Sequence, residues 1–280
     1  MAKQKPSVDR IGVWSEVKLA ILKEYARAYS TILTRHPRLY HVYIDAFAGA
    51  GVHLSRRTGV IVPGSPLNAL AITPAFREYH LIDLDRARVQ NLRSLIGQRP
   101  DVHLYQDDCN DVLLHRIFPE VRWEDFRRAL CLLDPYGLSL DWKVVEAAGR
   151  MRTVDLFLNF PMEGINRDAL WRRPAHLDQE RIARMERFWG DSSWRQSVYS
   201  EETDLFGQTD LVKLPGNEAV VGAYQQRLRR QAGFRFVPDP MPMRNSKGAV
   251  VYYPFFASHN EAGDRVARHI FMKYRNSGLP

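Results

Sequence analysis

Residues 40–51 read Tyr-His-Val-Tyr-Ile-Asp-Ala-Phe-Ala-Gly-Ala-Gly, and this stretch decides which fold the chain can adopt. The aromatic and β-branched residues of 40–47 predict a strand, because such side chains pack well on a pleated surface. The glycines that follow allow the backbone to turn tightly and to approach a ligand closely. The turn lacks the GxGxxG spacing of a dinucleotide site and the lysine of a P-loop, so the sequence does not favour a pyrophosphate ligand.

Short apolar runs recur after this strand and alternate with helix-like stretches. The runs cover residues 79–82, 102–105, 129–133 and 154–160, and the helix-like stretches include 85–96 and 141–150. Strands that alternate with helices are typical of a mostly parallel sheet with helices on both faces. The sequence therefore predicts an α/β, Rossmann-like fold.

A polar residue follows each of the later strands. The four residues are Asp83, Asp108, Asp134 and Asn159, at intervals of 25, 26 and 25 positions. Each interval matches one strand–helix unit, so we expect all four side chains at the carboxyl edge of the sheet. Open α/β sheets bind their ligands at that edge.

Carboxylates at the first strand ends indicate what the edge binds. Asp45 precedes the glycines, where a carboxylate suits a cation, such as the amino group of a methionine moiety, better than a pyrophosphate. Asp83 can accept both hydroxyls of a ribose. It is a better candidate than Asp85, whose position is that of an N-cap of the following helix.

The third strand end supplies the last part of the predicted cofactor site. Asp108 can accept the amino group of adenine and the Cys109 amide can donate to the ring, although Asp107 or Asn110 are alternative helix caps there. An acid for an amino acid, an acid for a ribose and an acid for an adenine together predict S-adenosylmethionine. The predicted cofactor-binding residues are Asp45, Phe47, Gly49, Gly51, Asp83, Leu84, Asp108, Cys109 and Asp134.

The predicted catalytic element is Asp134-Pro135-Tyr136-Gly137, which follows the strand 129–133. Methyltransferases that act on nucleic-acid amino groups carry Asp/Asn-Pro-Pro-aromatic here, where the first side chain and a carbonyl orient the amino group and the ring stacks on a flipped-out base. In this chain the aromatic residue comes one position early. A plain strand-ending turn, with Asp134 as a helix cap, is the alternative. The predicted catalytic residues are Asp134, Pro135, Tyr136 and Asn159.

Residues 163–215 interrupt the strand–helix rhythm and are rich in arginine and tryptophan. We expect a mostly helical insertion that contacts phosphates and bases, or alternatively a solvated helical face or a protein docking surface. Phe160, just before it, is expected either to stack on a base or to belong to the core. The predicted substrate-binding residues are Tyr136, Phe160, Arg167 and Arg172.

The rest of the chain is expected to complete one domain formed by residues 11–162 and 216–280. Residues 1–10 are predicted to be disordered, and the apolar stripe from Trp14 to Leu33 predicts an amphipathic helix. Runs at 234–237 and 250–257 flank a polar turn and predict an antiparallel closing hairpin. A last helix is expected from about residue 260 to 274.

Composition limits the class of protein. The chain has 280 residues, 45% of them hydrophobic and 26% charged, which is ordinary for a soluble globular protein, and we expect no membrane span. Two separated cysteines predict neither a disulfide framework nor a zinc site, no other metal constellation is evident, and the expected compartment is the cytoplasm. A net charge of +8 is compatible with a nucleic-acid partner, RNA or DNA.

These motifs also carry a family resemblance that extends from about residue 12 to 275. The sequence resembles the three-Cys-motif partner proteins in residues 43–51, 64–66, 133–137, 159–162, 164–167 and 242–246, and in the helix around Lys18. The resemblance implies a class I S-adenosylmethionine-dependent methyltransferase fold, with Asp45, Gly49, Gly51, Asp83 and Asp108 at the cofactor. It also implies a three-cysteine-motif protein encoded alongside as partner. A winged-helix-like C-terminal region, as described for the family, is an alternative to the closing hairpin.

Three functions are compatible with this sequence. The first is methylation of an exocyclic amino group of a nucleic-acid base. The second is a non-catalytic or accessory S-adenosylmethionine-binding role beside a radical-type partner. The third is methylation of a protein or a small molecule.

Overall fold

The computed structural model describes residues 8–168, 178–203, 209–214, 216–245 and 248–276. The strands are β1 (Arg10–Ile11), β2 (Tyr40–Asp45), β3 (Val52–Ser55), β4 (Ile61–Pro63), β5 (Glu78–Ile82), β6 (Val102–Tyr105), β7 (Arg127–Leu133), β8 (Val154–Phe160), β9 (Tyr199–Thr203), β10 (Thr209–Lys213), β11 (Met243–Arg244) and β12 (Val250–Ala257). The helices are α1 (Val13–Thr34), α2 (Ser65–Leu70), α3 (Arg86–Ile96), α4 (Cys109–Val112), α5 (Trp142–Met151), α6 (Met162–Asp168), α7 (Gln179–Trp189), α8 (Glu218–Arg230) and α9 (Glu261–Arg275).

A mixed sheet forms the centre of the molecule, in the order β11-β12-β8-β7-β2-β5-β6. The strands β6, β5, β2, β7 and β8 are parallel, whereas β12 runs antiparallel to β8 and β11 antiparallel to β12. The predicted α/β fold with a mostly parallel sheet is confirmed. After β2 the chain proceeds to one side through β5 and β6, and then returns to the other side through β7 and β8. The strand order therefore reverses between β2 and β7, and ligands of open α/β sheets bind at such a reversal.

The hydrophobic core lies on both faces of this sheet. Successive strand residues point to opposite faces, so Ile44 and Tyr43 of β2 belong to two different clusters of buried side chains. Helices α4, α5 and α8 pack on the Ile44 face, and α1, α3 and α9 pack on the Tyr43 face. All seven residues of β8 are buried, as expected for a strand covered on both sides.

Three segments differ from the sequence-based predictions. Residues 1–10 were predicted to be disordered, but Arg10 belongs to a strand and pairs with Leu54 in β3. Residues 1–7 lie outside the described residues. The insertion 163–215 contains, in addition to α7, the antiparallel hairpin β9–β10, which the sequence analysis did not predict. The sequence analysis also missed α8.

The closing hairpin is shifted relative to its prediction. In the run 234–237 only Phe236 is paired, with Ser258 just after β12. The strand that pairs with the outer side of β12 is β11. Among the described helices, none combines the length and the apolar character that a membrane span requires.

Candidate active site

The glycine turn after β2 lies at the carboxyl edge, as predicted. Gly49 and Gly51 have φ angles of +65° and +86°, a region that residues with a side chain rarely adopt. The Gly49 amide donates a hydrogen bond of 2.9 Å to Asp83 Oδ2, which ties the turn to the end of β5. No atom lies within 4 Å of the position that a Cβ on Gly49 would take, so the backbone is open to a ligand there.

Asp85 is the N-cap of α3, as the sequence predicted, and Asp83 lies at the end of β5. Asp85 caps α3 by accepting a 3.0 Å hydrogen bond from the Arg88 amide. Asp83 accepts from the Asp85 amide at 2.8 Å and from Gly49, so its carboxylate is fixed in place. Each of its oxygens retains a lone pair for a ligand hydroxyl.

At the end of β6 the helix cap is Asp108 itself, and not Asp107 or Asn110. Asp108 Oδ1 accepts hydrogen bonds from the amides of Asn110 and Asp111, at 2.8 Å and 3.4 Å. Burial raises the pKa of the Cys109 thiol to about 12, so this side chain is neutral and unreactive.

A first cavity of about 460 Å³ lies above these three strand ends. Its volume is in the range of small-molecule sites. Its lining includes Phe47, Asp83, Leu84, Asp108, Cys109 and Tyr136. The structure thus brings together most of the residues predicted for a cofactor.

Four of the predicted cofactor residues do not line this cavity: Asp45, Gly49, Gly51 and Asp134. Asp45 lies beneath the site. Its side chain is completely buried and lines neither the first cavity nor its neighbour. Its carboxylate accepts from the Phe47 amide at 3.3 Å and from the Tyr43 hydroxyl at 3.4 Å. Burial, reinforced by the nearby charge of Asp134, raises the pKa of Asp45 to about 7. The prediction that Asp45 directly holds a methionine amino group is therefore wrong, and Asp45 instead supports the turn.

Asp134 sits at the end of β7 between two partners. Lys18 Nζ of α1 forms an ion pair with Asp134 Oδ2, and Asn159 Nδ2 donates to Asp134 Oδ1 at 2.6 Å. Burial lowers the pKa of the Lys18 ammonium, but Asp134 and Tyr252 more than offset this effect and the pKa is raised overall. Lys18 is therefore a fixed cation at neutral pH, and it holds the Asp134 carboxylate in one orientation.

A second cavity of about 420 Å³ adjoins the first and contains this cluster. Its lining includes Lys18, Gly49, Ser65, Asp134, Asn159 and Arg167. The two cavities share Phe47 and Tyr136, whose rings meet edge to face at 6.5 Å. Asn159 Oδ1 is buried without a hydrogen-bond partner, which leaves one acceptor at the cluster for a ligand.

Tyr136 is held at the boundary by residues that the sequence analysis did not single out. Its hydroxyl accepts from Arg88 Nη1 at 2.6 Å and donates to Asp9 Oδ2 at 3.3 Å. Burial raises the pKa of Tyr136 to about 12, so the phenol stays protonated. Tyr136 as a residue is 57% exposed, and an exposed aromatic ring can stack on a base.

The predicted substrate residues separate into different environments. Phe160 is fully buried against Tyr224, with ring centroids 4.6 Å apart, so of its two predicted roles the structure supports a core position and not stacking on a base. Trp189 and Trp194 of the insertion are also core residues. Arg172 lies outside the described residues.

Three arginines of the insertion do reach the rim. Arg167, Arg184 and Arg187 line a further cavity of about 790 Å³, together with Asp108 and Tyr136. The insertion thus contributes positive charge beside both the first and the second cavity.

Sequence reasoning missed Lys18, Ser65, Arg88 and Tyr252 as site residues. Lys18 precedes the buried Leu22 and Tyr25 by four and seven positions, so helical periodicity alone puts it on the buried face of α1. A lysine on an apolar face is a signal for a buried ion pair. The positions of the other three depend on tertiary packing.

Solved structures with a fold similar to that of this chain share little sequence identity with it. No protein-family model matches the sequence, and no curated protein is significantly similar to it. A Legionella pneumophila protein of known structure is 11% identical over 93% of both chains, with a TM-score of 0.47. An S-adenosylmethionine-dependent methyltransferase from Leishmania major (10% identity, 85% of this chain and 72% of that one) and another from Clostridium acetobutylicum (11%, 85% and 91%) have TM-scores of 0.40 and 0.39. Similarity this low says nothing about substrate or activity.

Proposed function

We propose that the protein is an S-adenosylmethionine-dependent methyltransferase that methylates an exocyclic amino group of a nucleic-acid base. The observation that carries this proposal is the pair of cavities at the point where the strand order reverses. They meet at Phe47 and Tyr136, and Asp134 lies beside the junction. A donor in one cavity and an acceptor in the other would bring their reacting atoms together at that boundary.

The residues of the first cavity fit the cofactor. Asp83 would accept the ribose hydroxyls, and the rim near Asp108 and Cys109 would hold the adenine. The open backbone at Gly49, which lines the adjoining second cavity, allows close approach of the methionine part. When bound, the cofactor supplies an electrophilic methyl group.

Asp134 is the residue that prepares the acceptor. Lys18 and Asn159 each occupy one lone pair of its oxygens, and a second lone pair accepts a hydrogen bond from the amino group. This bond directs the nitrogen lone pair towards the methyl group. The Pro135 carbonyl accepts the other amino hydrogen, and the Tyr136 ring stacks on the base.

Arginines at the rim support a nucleic-acid substrate. Arg167, Arg184 and Arg187 line the cavity beside Tyr136, which is also lined by Asp108, Asp111 and Asp141, and the whole chain carries a net charge of +8. Arginines beside a concave site suit the phosphates that flank a flipped-out base. We include in this proposal the membership in the three-Cys-motif partner family that the sequence motifs imply.

One observation favours a second candidate function, that of an accessory cofactor-binding protein. Both oxygens of Asp134 already accept a hydrogen bond within the chain, and one of the donors is a lysine ammonium. A carboxylate so engaged is a weaker acceptor for a substrate amino group. In this case the protein would bind S-adenosylmethionine beside a three-cysteine-motif partner without transferring the methyl group itself.

Radiolabelled cofactor incubated with separate RNA, DNA and protein pools distinguishes these functions. We expect label in a nucleic-acid pool. Asp134→Ala should abolish transfer and change cofactor affinity less than twofold, because Asp134 acts on the acceptor. Asp125→Asn is the matched control, since Asp125 pairs with Arg122 outside either cavity. Cofactor binding without transfer to any pool would favour the accessory function, and full activity of Asp134→Ala would refute the role of Asp134.

A further inference from the structure

A fourth concave region lies at the opposite edge of the sheet, far from the proposed active site. This cavity of about 620 Å³ is formed where β7 and β8 begin, at the turn before Arg235 and at the start of α9. β8 has seven residues, so at about 3.3 Å each the two edges lie about 20 Å apart. Nothing in the proposed reaction uses this cavity.

Three guanidinium groups line it: those of Arg128, Arg152 and Arg235. Among the ion pairs of the described residues none involves these three, whereas their neighbours Arg127 and Arg150 pair with Glu78 and Glu146. The recorded contacts of Arg128 are stacking on Trp123, at 3.7 Å from Cζ to the ring centroid, and a hydrogen bond to a backbone carbonyl. Arg235 lies over the Phe236 ring at 5.1 Å.

Arg128 is partly withdrawn from water without an acidic partner. Burial lowers the pKa of its guanidinium, and the opposing effect of Tyr29 is smaller. A desolvated cation in this situation gains more from a bound anion than an exposed one does.

The carboxylates near the cavity are already engaged. Asp155 is buried and accepts hydrogen bonds from the hydroxyls of Tyr25 and Ser258. Glu261, at the first turn of α9, lies 3.7 Å from Arg265 of the same helix. The three guanidinium groups outnumber these two carboxylates, so the cavity keeps an excess of positive charge.

Part of the remaining wall is apolar and aromatic, and it is formed by Tyr29, Leu33, Leu39 and Trp123. Thr153, His259 and Asn260 add polar groups to the lining. The volume suits a small organic molecule and not a free ion alone. A ligand that matches both walls carries an anionic group at one end and an aromatic or apolar body at the other.

We propose that this cavity is a second binding site, which takes a phosphate monoester carried on an aromatic or apolar body. The phosphate oxygens accept from Arg128, Arg152 and Arg235, since guanidinium groups match phosphate geometry. The body packs on Tyr29, Leu33 and Leu39. This inference stands independently of the proposed methyl transfer.

Calorimetry on the full chain tests the site with uridine 5′-monophosphate, which carries no adenine and so does not mimic the proposed cofactor. We expect it to bind more tightly than inorganic phosphate, and uridine not to bind. Arg128→Gln and Arg235→Gln should each weaken binding about tenfold or more, through loss of a charge-assisted hydrogen bond. Arg235 is exposed, so its variant keeps the test valid if Arg128→Gln fails to fold.

Arg150→Gln is the matched control, because it removes the same charge from a nearby exposed arginine that does not line the cavity. The affinity of Arg150→Gln for uridine 5′-monophosphate should stay within twofold of that of the wild type. No binding of the monophosphate at about 10 mM would overturn the proposal. An equal loss in Arg150→Gln, or binding of a short RNA without binding of the monophosphate, would overturn it in favour of a diffuse nucleic-acid surface.

Discussion

The ion pair between Lys18 and Asp134 makes a prediction about stability that needs no substrate. The Lys18 and Asp134 side chains are 17% and 29% exposed, so the pair lies between a surface pair and a buried one. Surface pairs contribute up to about 1 kcal/mol, and removal of one partner of a buried pair costs about 3 to 5 kcal/mol. We expect Lys18→Met to lower the free energy of unfolding by about 2 kcal/mol.

The reason is that Lys18→Met leaves Asp134 uncompensated close to a second carboxyl. Asp134 already contributes to the raised pKa of Asp45, so the two groups interact. Asp134→Asn should lower stability less than Lys18→Met, because the amide still accepts from Asn159. The double variant Lys18→Met/Asp134→Asn should be more stable than the sum of the single changes predicts, by about 1 to 2 kcal/mol.

Urea unfolding followed by circular dichroism measures all four proteins of this cycle. The slope of the unfolding free energy against urea concentration should be the same in each, so that midpoints compare directly. If the losses of unfolding free energy in the two single variants simply add in the double variant, Lys18 and Asp134 do not form this ion pair. If Lys18→Met lowers the free energy of unfolding by less than about 0.5 kcal/mol, the ion pair behaves as a surface pair and not as a partly buried one.

Two further predictions concern the residues beneath the site. Gly51→Ala should destabilise the protein by about 1 to 2 kcal/mol or more in thermal unfolding, because φ is +86° and the new Cβ would lie 2.7 Å from Leu92 Cδ1. Gly59→Ala, at φ +68° with open space around it, should cost less, and an equal cost would show that packing plays no part. Burial raises the pKa of Asp45 from 3.8 to about 7, so its stabilising contribution is complete at low pH and is lost as pH rises through 7. The unfolding free energy of Asp45→Asn relative to wild type should therefore rise between about pH 5 and pH 8, by about 1 kcal/mol or more, and a constant difference would contradict this assignment.

The central sheet was predictable because its signals are local. The apolar runs 102–105 and 154–160 coincide with β6 and β8, and the N-cap role of Asp85 follows from its place before a helical pattern. The equal spacing of polar strand ends depends only on the length of a strand–helix unit. Asp83, Asp108 and Asp134 accordingly lie at one edge.

The errors concern properties that depend on packing across the fold. Phe160 and Asp45 sit at strand ends like the site residues, but the pleat turns the Phe160 ring into the aromatic cluster, and the glycine turn covers Asp45. The hairpin β9–β10 was missed within an arginine-rich segment whose composition suggested helices. Lys18 reaches Asp134 across 116 positions of sequence, and no pattern within α1 specifies that partner.

Calorimetric titration of the chain with S-adenosylmethionine shows whether the carboxyl edge of the sheet binds the cofactor, if wild type is compared with Asp83→Ala and with Asp125→Asn. We expect one bound cofactor per chain, an affinity that falls about tenfold or more in Asp83→Ala, and no change in Asp125→Asn. The absence of binding to the wild type, or an Asp83→Ala variant that binds as tightly, would contradict this expectation.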